Sequence, residues 1–266
     1  MSGILLVGCG KMGRALLDGW LDRGVPANEI TVIEPVAEAR ATLPPTVTVC
    51  ASAEELSQAV RPMVIVFAVK PQGMDAVLPA YRRYDDATFL SIAAGRTLAF
   101  FAQHLGESAA VVRAMPNTPA SVRRGISVAC ASPAVDASRR ATCHDLLEAV
   151  GEVAWIEDEG LMDAVTAVSG SGPAYVFLLA EVLATAGTKA GLPDDLATRL
   201  ARATVAGAGE LIHLSSEPAS VLRRNVTSPG GTTAAALDIL MAEDGLATLM
   251  ERAVRAATRR SRELAG

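Results

Sequence analysis

Two stretches of this 266-residue chain combine residue types at spacings that can do chemistry. The first is Gly8-Cys9-Gly10-Lys11-Met12-Gly13, a GxGxxG that directly follows the apolar run Ile4-Leu5-Leu6-Val7 and opens an amphipathic segment. At a strand-to-helix turn the first glycine permits the bend, the second lets backbone approach a pyrophosphate, and the third lets helix and strand pack closely. The helix N-terminus adds N–H groups and partial positive charge. Glu34 stands twenty-one residues after Gly13, near the offset at which an acidic side chain bonds the adenosine ribose hydroxyls. A carboxylate there repels a 2′-phosphate, and the nearest downstream cation is Arg40. The expected cofactor is NADPH or NADH, with Glu34 leaning toward NADH.

The second stretch is Ser228-Pro229-Gly230-Gly231-Thr232-Thr233. Pro229 fixes a turn, Gly230 and Gly231 allow backbone and ligand to approach, and hydroxyls flank the start of a predicted helix whose dipole favours an anion. A small carboxylate fits this description. A plain Ser/Thr helix cap after a Pro-Gly turn is the competing reading of the same residues. Lys70, before Pro71, closes a predicted strand at the edge where open parallel sheets bind ligands, although a lone Lys there is equally a solvated charge. Cys9, Cys50, Cys130 and Cys143 make no CxxC pair, and His104, His144 and His213 make no HxxxH spacing, so no metal site is expected. No His, Cys or Lys constellation offers a strong general acid.

These groups need a scaffold. Strands are predicted at Ile4–Val7, Ile30–Ile33, Val64–Val69, Thr88–Ile92, Val111–Ala114, Ser127–Ala131 and Val153–Ile156. Helices are predicted at about Lys11–Arg23, Ala53–Val60 and Met74–Arg83, an alternation that makes a parallel sheet covered on both faces. After about Glu159, long Ala/Leu segments bounded by Gly and Pro replace the β-branched runs and predict helices only: Gly160–Val168, Pro173–Ala190, Pro193–Leu214, Pro218–Asn225, Gly231–Met241 and Gly245–Glu263. Pro173, Pro193 and Pro218 suit first-turn positions. Many of these faces carry only Ala and Gly, so the helical half is expected to gain its core against a second subunit.

Composition narrows the partners. The formal net charge is −5 and charged residues make up 20% of the chain, which gives no broad positive field for a phosphate polymer or an anionic membrane. The Arg pairs at 123–124, 139–140, 223–224 and 259–260 have no interleaved aromatics and read as solvated charges. The N-terminus lacks the basic region and length of a signal peptide, and the apolar run Ala174–Ala186, broken by Glu181, is shorter than a membrane span. No nucleic acid or membrane partner is expected, and the expected location is cytoplasmic.

Four further segments occur in order: Phe67-Ala68-Val69-Lys70-Pro71-Gln72, Met115-Pro116-Asn117-Thr118-Pro119, Ser169-Gly170-Ser171-Gly172-Pro173-Ala174-Tyr175 and Thr227 to Thr233. Together with the glycine turn they resemble the pyrroline-5-carboxylate reductases over nearly the whole chain, from Gly8 to about Ala257. The resemblance implies an α/β N-terminal Rossmann domain, residues 1–159, and an all-α C-terminal dimerisation domain, residues 160–266, that interleaves helices into a homodimer and often a higher assembly. It implies reduction of 1-pyrroline-5-carboxylate to L-proline, the last step of proline synthesis. Gly8, Gly10, Lys11, Met12, Gly13 and Glu34 are expected at the cofactor from their placement and spacing, Glu34 being the feature unusual for the family, and the resemblance adds Ala68, Val69, Lys70, Pro71, Ala93, Ala94, Gly95 and Asn117 beside the cofactor ribose and nicotinamide. By the same resemblance Ser228, Gly230, Gly231, Thr232 and Thr233 hold the substrate, with the Thr233 hydroxyl reaching the imine nitrogen or a neighbouring water. The proton source stays open between a hydroxyl, a water and an already protonated substrate.

Two other readings compete. One is another two-domain nicotinamide enzyme, a β-hydroxyacid dehydrogenase or a related imine reductase; the hydroxyacid enzymes resemble one another in using a Lys on the first long helix of the second domain, and Lys189 lies too late on that helix. A non-catalytic dinucleotide sensor would have no need of the hydroxyls and glycines between Ser228 and Thr233.

Overall fold

The apolar runs of the first half become strands buried on both faces, as a parallel sheet between helices requires. The computed structural model describes residues 3–57 and 59–265. Its strands are β1 (Ile4–Val7), β2 (Ile30–Ile33), β3 (Thr48–Cys50), β4 (Val64–Phe67), β5 (Thr88–Ser91), β6 (Ala110–Met115), β7 (Gly125–Ala131) and β8 (Gly151–Trp155). They form one sheet in the order β3-β2-β1-β4-β5-β6-β7-β8. The order reverses between β1 and β4, which opens a crevice at the carboxyl ends of those strands.

Helices α1 (Lys11–Asp22), α2 (Ala37–Arg40), α3 (Met74–Val77), α4 (Leu98–Leu105) and α5 (Ala137–Glu148) accompany the sheet. On one face, α1 buries Leu16, Leu17 and Trp20 with Ile4, Leu6 and Val66, and the Trp20 indole N–H donates to the Leu146 carbonyl at 2.8 Å. On the other face, Phe67, Tyr81, Phe89 and Phe101 share a core with Leu5 and Val7.

Several expectations change in detail. The strand β7 runs antiparallel to β6 while β8 is parallel to β7. The β6–β7 link holds one 3-10 turn, Thr118–Val122, too short for the crossover that a parallel neighbour needs. Of the helix expected at Ala53–Val60 only a 3-10 turn, Ala53–Glu55, forms; Leu56 turns extended and buries its side chain in the core with Ile33, and Gln58 lies outside the described residues. The segment expected as one helix from Met74 is α3 followed by a 3-10 turn at Leu78–Tyr81, because Pro79 has no N–H for the α-helical ladder. The strand β3 and helices α2, α4 and α5 complete the alternation.

The second half is helical. A 3-10 turn (Glu159–Leu161) leads into α6 (Met162–Val165), a π-helical turn (Thr166–Gly170), α7 (Gly172–Lys189), α8 (Asp194–Leu214), α9 (Ala219–Asn225), α10 (Thr232–Leu240) and α11 (Leu246–Ala265). Pro173 sits in the first turn of α7, whereas Pro193 and Pro218 stand one place earlier, as N-caps of α8 and α9. Close packing of α7 on α8 depends on Gly187, where a Cβ would lie 3.3 Å from that of Ala197.

The chain divides into two compact units, one of Met1–Gly170 with Thr258–Gly266 and one of Ser171–Ala257. The compositional change near Glu159 therefore precedes the structural division: α6 and the π turn stay with the sheet. The end of α11 returns there as well, with Ser261 donating to Asp163 at 2.6 Å. In the second unit Phe177, Leu178, Leu179, Leu183, Ile212 and Ile239 are all exposed in the single chain. The apolar run of α7 was expected to be too short for a bilayer, but helical turns continue from Glu159 to Lys189, and this 31-residue stretch has the length and composition of a span.

Candidate functional site

In the first unit, the glycine turn takes the form its chemistry requires. Gly8 has φ +87°, and a Cβ there would lie 2.8 Å from Val69 Cγ1 and 2.9 Å from the Ala68 carbonyl oxygen. Ala68 and Val69 thus abut the turn, and the Ala68 N–H donates to the Val7 carbonyl at 2.8 Å. A Cβ on Gly13 would run into the Gly8 carbonyl oxygen. At Gly10 the surroundings are open, with nothing within 4 Å of a Cβ. Gly10 is the N-cap of α1, no side chain caps it, and the first turn holds no acidic residue. Lys11 is exposed and Met12 half-buried at this end. An open space in front of uncapped N–H groups fits a dinucleotide pyrophosphate.

Glu34, only 6% exposed, is tied into the same turn. Its Oε2 accepts the Cys9 N–H at 2.8 Å and its Oε1 the Val36 N–H at 3.0 Å. Arg40 is not remote from it: its guanidinium donates to the carbonyls of both Glu34 and Pro35 at 2.8 Å. A carboxylate has about four acceptor positions, so these two bonds leave about half of them unused. Burial first, and the Glu34 charge in addition, push the Cys9 thiol up to about 11, while Arg14 opposes them. Cys9 is a neutral small hydrophobe in the turn and not a nucleophile.

The other expected cofactor residues lie along the carboxyl edge of the sheet. Lys70, exposed, leads from β4 into the 3-10 turn Pro71–Gly73. Ala93, Ala94 and Gly95 follow β5, with Ala93 buried, Ala94 exposed and Gly95 at φ +72°. Arg96 ties these two loops together, donating through Nε and Nη2 to the Pro71 carbonyl at 3.0 and 2.9 Å while stacking over Phe100. Asn117 follows β6; its Oδ1 accepts the Ile126 N–H at 2.9 Å and its Nδ2 faces Ser169 Oγ at 3.3 Å.

Sequence reasoning passed over Arg96, Arg113 and Glu159. Arg113, on β6 and 5% exposed, donates to Glu159 Oε1 at 2.6 Å, and the same oxygen accepts the Leu98 N–H at 2.9 Å. This pair joins the strand that leads to Asn117 with the helix that follows Ala93–Gly95. An Arg in the otherwise apolar run Ala110–Met115 was the available signal, since a charge in a buried strand requires a partner.

In the second unit, Gly230 has φ +69° and the Gly231 N–H closes a turn onto the Ser228 carbonyl at 3.1 Å. Gly231 is the N-cap of α10; no side chain caps it and the first turn is free of acidic residues. The alternative of a plain Ser/Thr cap therefore does not hold. Ser228 and Thr232 are exposed and Thr233 half-buried. The N-terminus of α10 thus has N–H groups without a side-chain cap, in a segment that carries the hydroxyls of Ser228, Thr232 and Thr233. Lys189 is the last residue of α7 and exposed. Among the described residues no group of His, Cys, Asp and Glu could hold a metal ion.

Comparison with known proteins accounts for both units. Residues 159–264 match the family model for pyrroline-5-carboxylate reductase dimerisation, and residues 3–95 match a model described as NADP oxidoreductase, coenzyme F420-dependent. The chain is 41% identical to a pyrroline-5-carboxylate reductase of Pseudomonas aeruginosa, over 98% of this chain and 96% of that protein. Among solved structures, a pyrroline-5-carboxylate reductase from Coxiella burnetii aligns with TM-score 0.93 at 33% identity, covering 100% of this chain and 99% of that one. A Plasmodium falciparum pyrroline carboxylate reductase with NADP bound aligns with TM-score 0.83 at 30% identity, covering 100% of this chain and 98% of its own.

Proposed function

Because the chain belongs to the pyrroline-5-carboxylate reductase family, we propose that its turn at Ser228–Thr233 holds the carboxylate of 1-pyrroline-5-carboxylate while the imine is reduced to L-proline. The enzyme is an oxidoreductase that uses NADPH or NADH. The observation that carries the reading is the α10 N-terminus, glycine-built, uncapped by any side chain and free of acidic residues. Such an end stabilises an anion by N–H donation and by the helix dipole.

A reduced nicotinamide supplies the hydride when bound. Gly8, Gly10 and Gly13 give the pyrophosphate its approach to α1, with Lys11 and Met12 at the same helix end. Glu34 accepts from the adenosine ribose, and Ala68 to Pro71 with Ala93 to Gly95 line the rest of the cofactor's path. Ser228, Gly230, Gly231 and Thr232 hold the substrate carboxylate, which fixes the ring in one orientation. Thr233 directs its hydroxyl to the ring nitrogen and keeps that nitrogen's proton in place, making the adjacent carbon the better electrophile.

The exposed apolar side chains of α7, α8 and α10 are the faces that a second copy covers, since they fall within the segment matching the dimerisation model. The exposed face of α7 belongs to that interface, and the stretch Glu159–Lys189 does not cross a membrane. The protein works in the cytoplasm on a small molecule, without a nucleic-acid partner. Assaying NADPH and NADH oxidation with 1-pyrroline-5-carboxylate, against a β-hydroxy acid with oxidised cofactor as control, separates this reading from a hydroxyacid dehydrogenase and from a sensor without turnover.

A further inference from the structure

The π-helical turn Thr166–Gly170 is held to the carboxyl edge of the sheet by two contacts. Gly170 packs so closely on the Met115 side chain that a Cβ there would run into it. Next to it, Asn117 reaches Ser169. π turns inside helices are frequent where a side chain must be aimed.

The direction of the Asn117 amide is fixed by its surroundings. The Ile126 N–H can only donate, so the side-chain atom 2.9 Å from it is Oδ1, and Nδ2 points at Ser169 Oγ. The Ser169 oxygen is therefore an acceptor in that contact, and its own proton is free to be donated elsewhere. Both side chains are half-buried, so neither is sealed from solvent.

Position identifies the ligand group. The adenosine end of a dinucleotide is anchored over β1 and β2, by the glycine turn and Glu34. The molecule then extends across the crevice toward β4, β5 and β6, in the order those strands lie in the sheet. The nicotinamide end arrives beside Ala93–Gly95 and Asn117. The one neutral polar handle on the nicotinamide ring itself is the carboxamide, whose carbonyl oxygen needs a donor. Resting on the reading above, we propose that Ser169 orients the cofactor by donating its hydroxyl proton to the nicotinamide carboxamide oxygen, and that Asn117 is the positioning residue that aims it.

The test uses the full-length protein and nicotinamide-fluorescence titration of NADPH and NADH. Ser169→Ala loses the donor. Asn117→Asp keeps the acceptor for Ile126 but draws the Ser169 proton to itself. Each variant is expected to bind the reduced cofactor about three- to tenfold more weakly, the scale of one net hydrogen bond, and the double variant no more weakly than either alone. Binding of ADP-ribose, or of its 2′-phosphate, which lack the nicotinamide, should not change. Ser169→Thr should restore affinity, and a thioamide cofactor, with a poor acceptor, should bind wild type and Ser169→Ala alike. Wild-type affinity in both variants, additive losses in the double variant, or equal weakening of ADP-ribose would overturn the assignment. Failure of the wild-type protein to bind any reduced nicotinamide would instead overturn the functional reading beneath it.

Discussion

The carboxylate of Glu34 accepts the backbone N–H of Cys9 at 2.8 Å, so the acidic residue at the end of β2 and the glycine turn after β1 form one unit. Glu34 holds the turn, and in the proposed function it also receives ribose hydroxyls. Arg40, bonded to the Glu34 carbonyl, places a positive charge beside the carboxylate, which in the proposed function offsets its repulsion of a 2′-phosphate.

Replacing Glu34 with Ser therefore raises the ratio of kcat/KM for NADPH over NADH, by about tenfold or more, chiefly through loss of NADH efficiency. Glu34→Gln keeps an oxygen acceptor for Cys9 and shifts the ratio less. Steady-state kinetics with both cofactors measure this; an unchanged ratio in Glu34→Ser contradicts the assignment.

Thr233→Ala should lower kcat/KM for the imine by roughly ten- to several-hundred-fold, the scale of a lost positioned polar contact. Cofactor affinity should not move. Full efficiency in this variant removes Thr233 from the mechanism.

Gly13→Ala places a methyl against the Gly8 carbonyl, a backbone atom that cannot step aside. Cofactor affinity is expected to fall about tenfold or more, with a lower melting temperature, the usual consequence of overpacking. Gly10→Ala meets open space in the free protein, so its loss of affinity should come without loss of stability. Melting curves with and without NADPH separate the two.

Arg113→Met leaves Glu159 without its partner at the junction of β6 and α4. Breaking a mostly buried pair costs about 3 kcal/mol, somewhat less here because Glu159 retains the Leu98 N–H and 27% side-chain exposure. Urea unfolding at neutral pH gives the difference directly. A loss below about 0.5 kcal/mol would place the pair among ordinary surface charges.

Burial pushes the thiols of Cys9 and Cys130 up to about 11 and that of Cys143 up to about 12. An unfolded thiol ionises near 8.5. Between those values the unfolded chain has released protons that the native chain retains, so stability falls as pH rises from about 8.5 and the contribution is intact below it. Cys143→Ala should flatten this alkaline loss, and at pH 8 these thiols should resist alkylation until the protein unfolds.

The sheet was legible in the sequence because β1, β2, β4 and β5 are short apolar runs with turn residues on both sides, and the glycine turn identified its own neighbours. The segment at Ala53–Val60 misled because its residues favour a helix in isolation, while Leu56 takes an extended backbone and is buried in the core. The α10 N-terminus was readable from its Pro-Gly-Gly sequence. The partners of Arg96, Arg113 and Ser169 were not, since they lie 25, 46 and 52 positions away and depend on which strands become neighbours.

The most direct test of the whole account is turnover of 1-pyrroline-5-carboxylate by the purified protein. The account predicts that NADPH or NADH is oxidised only when the imine is present, with L-proline formed in equal amount. Absence of cofactor oxidation with either reduced nicotinamide, or oxidation without proline, would contradict it.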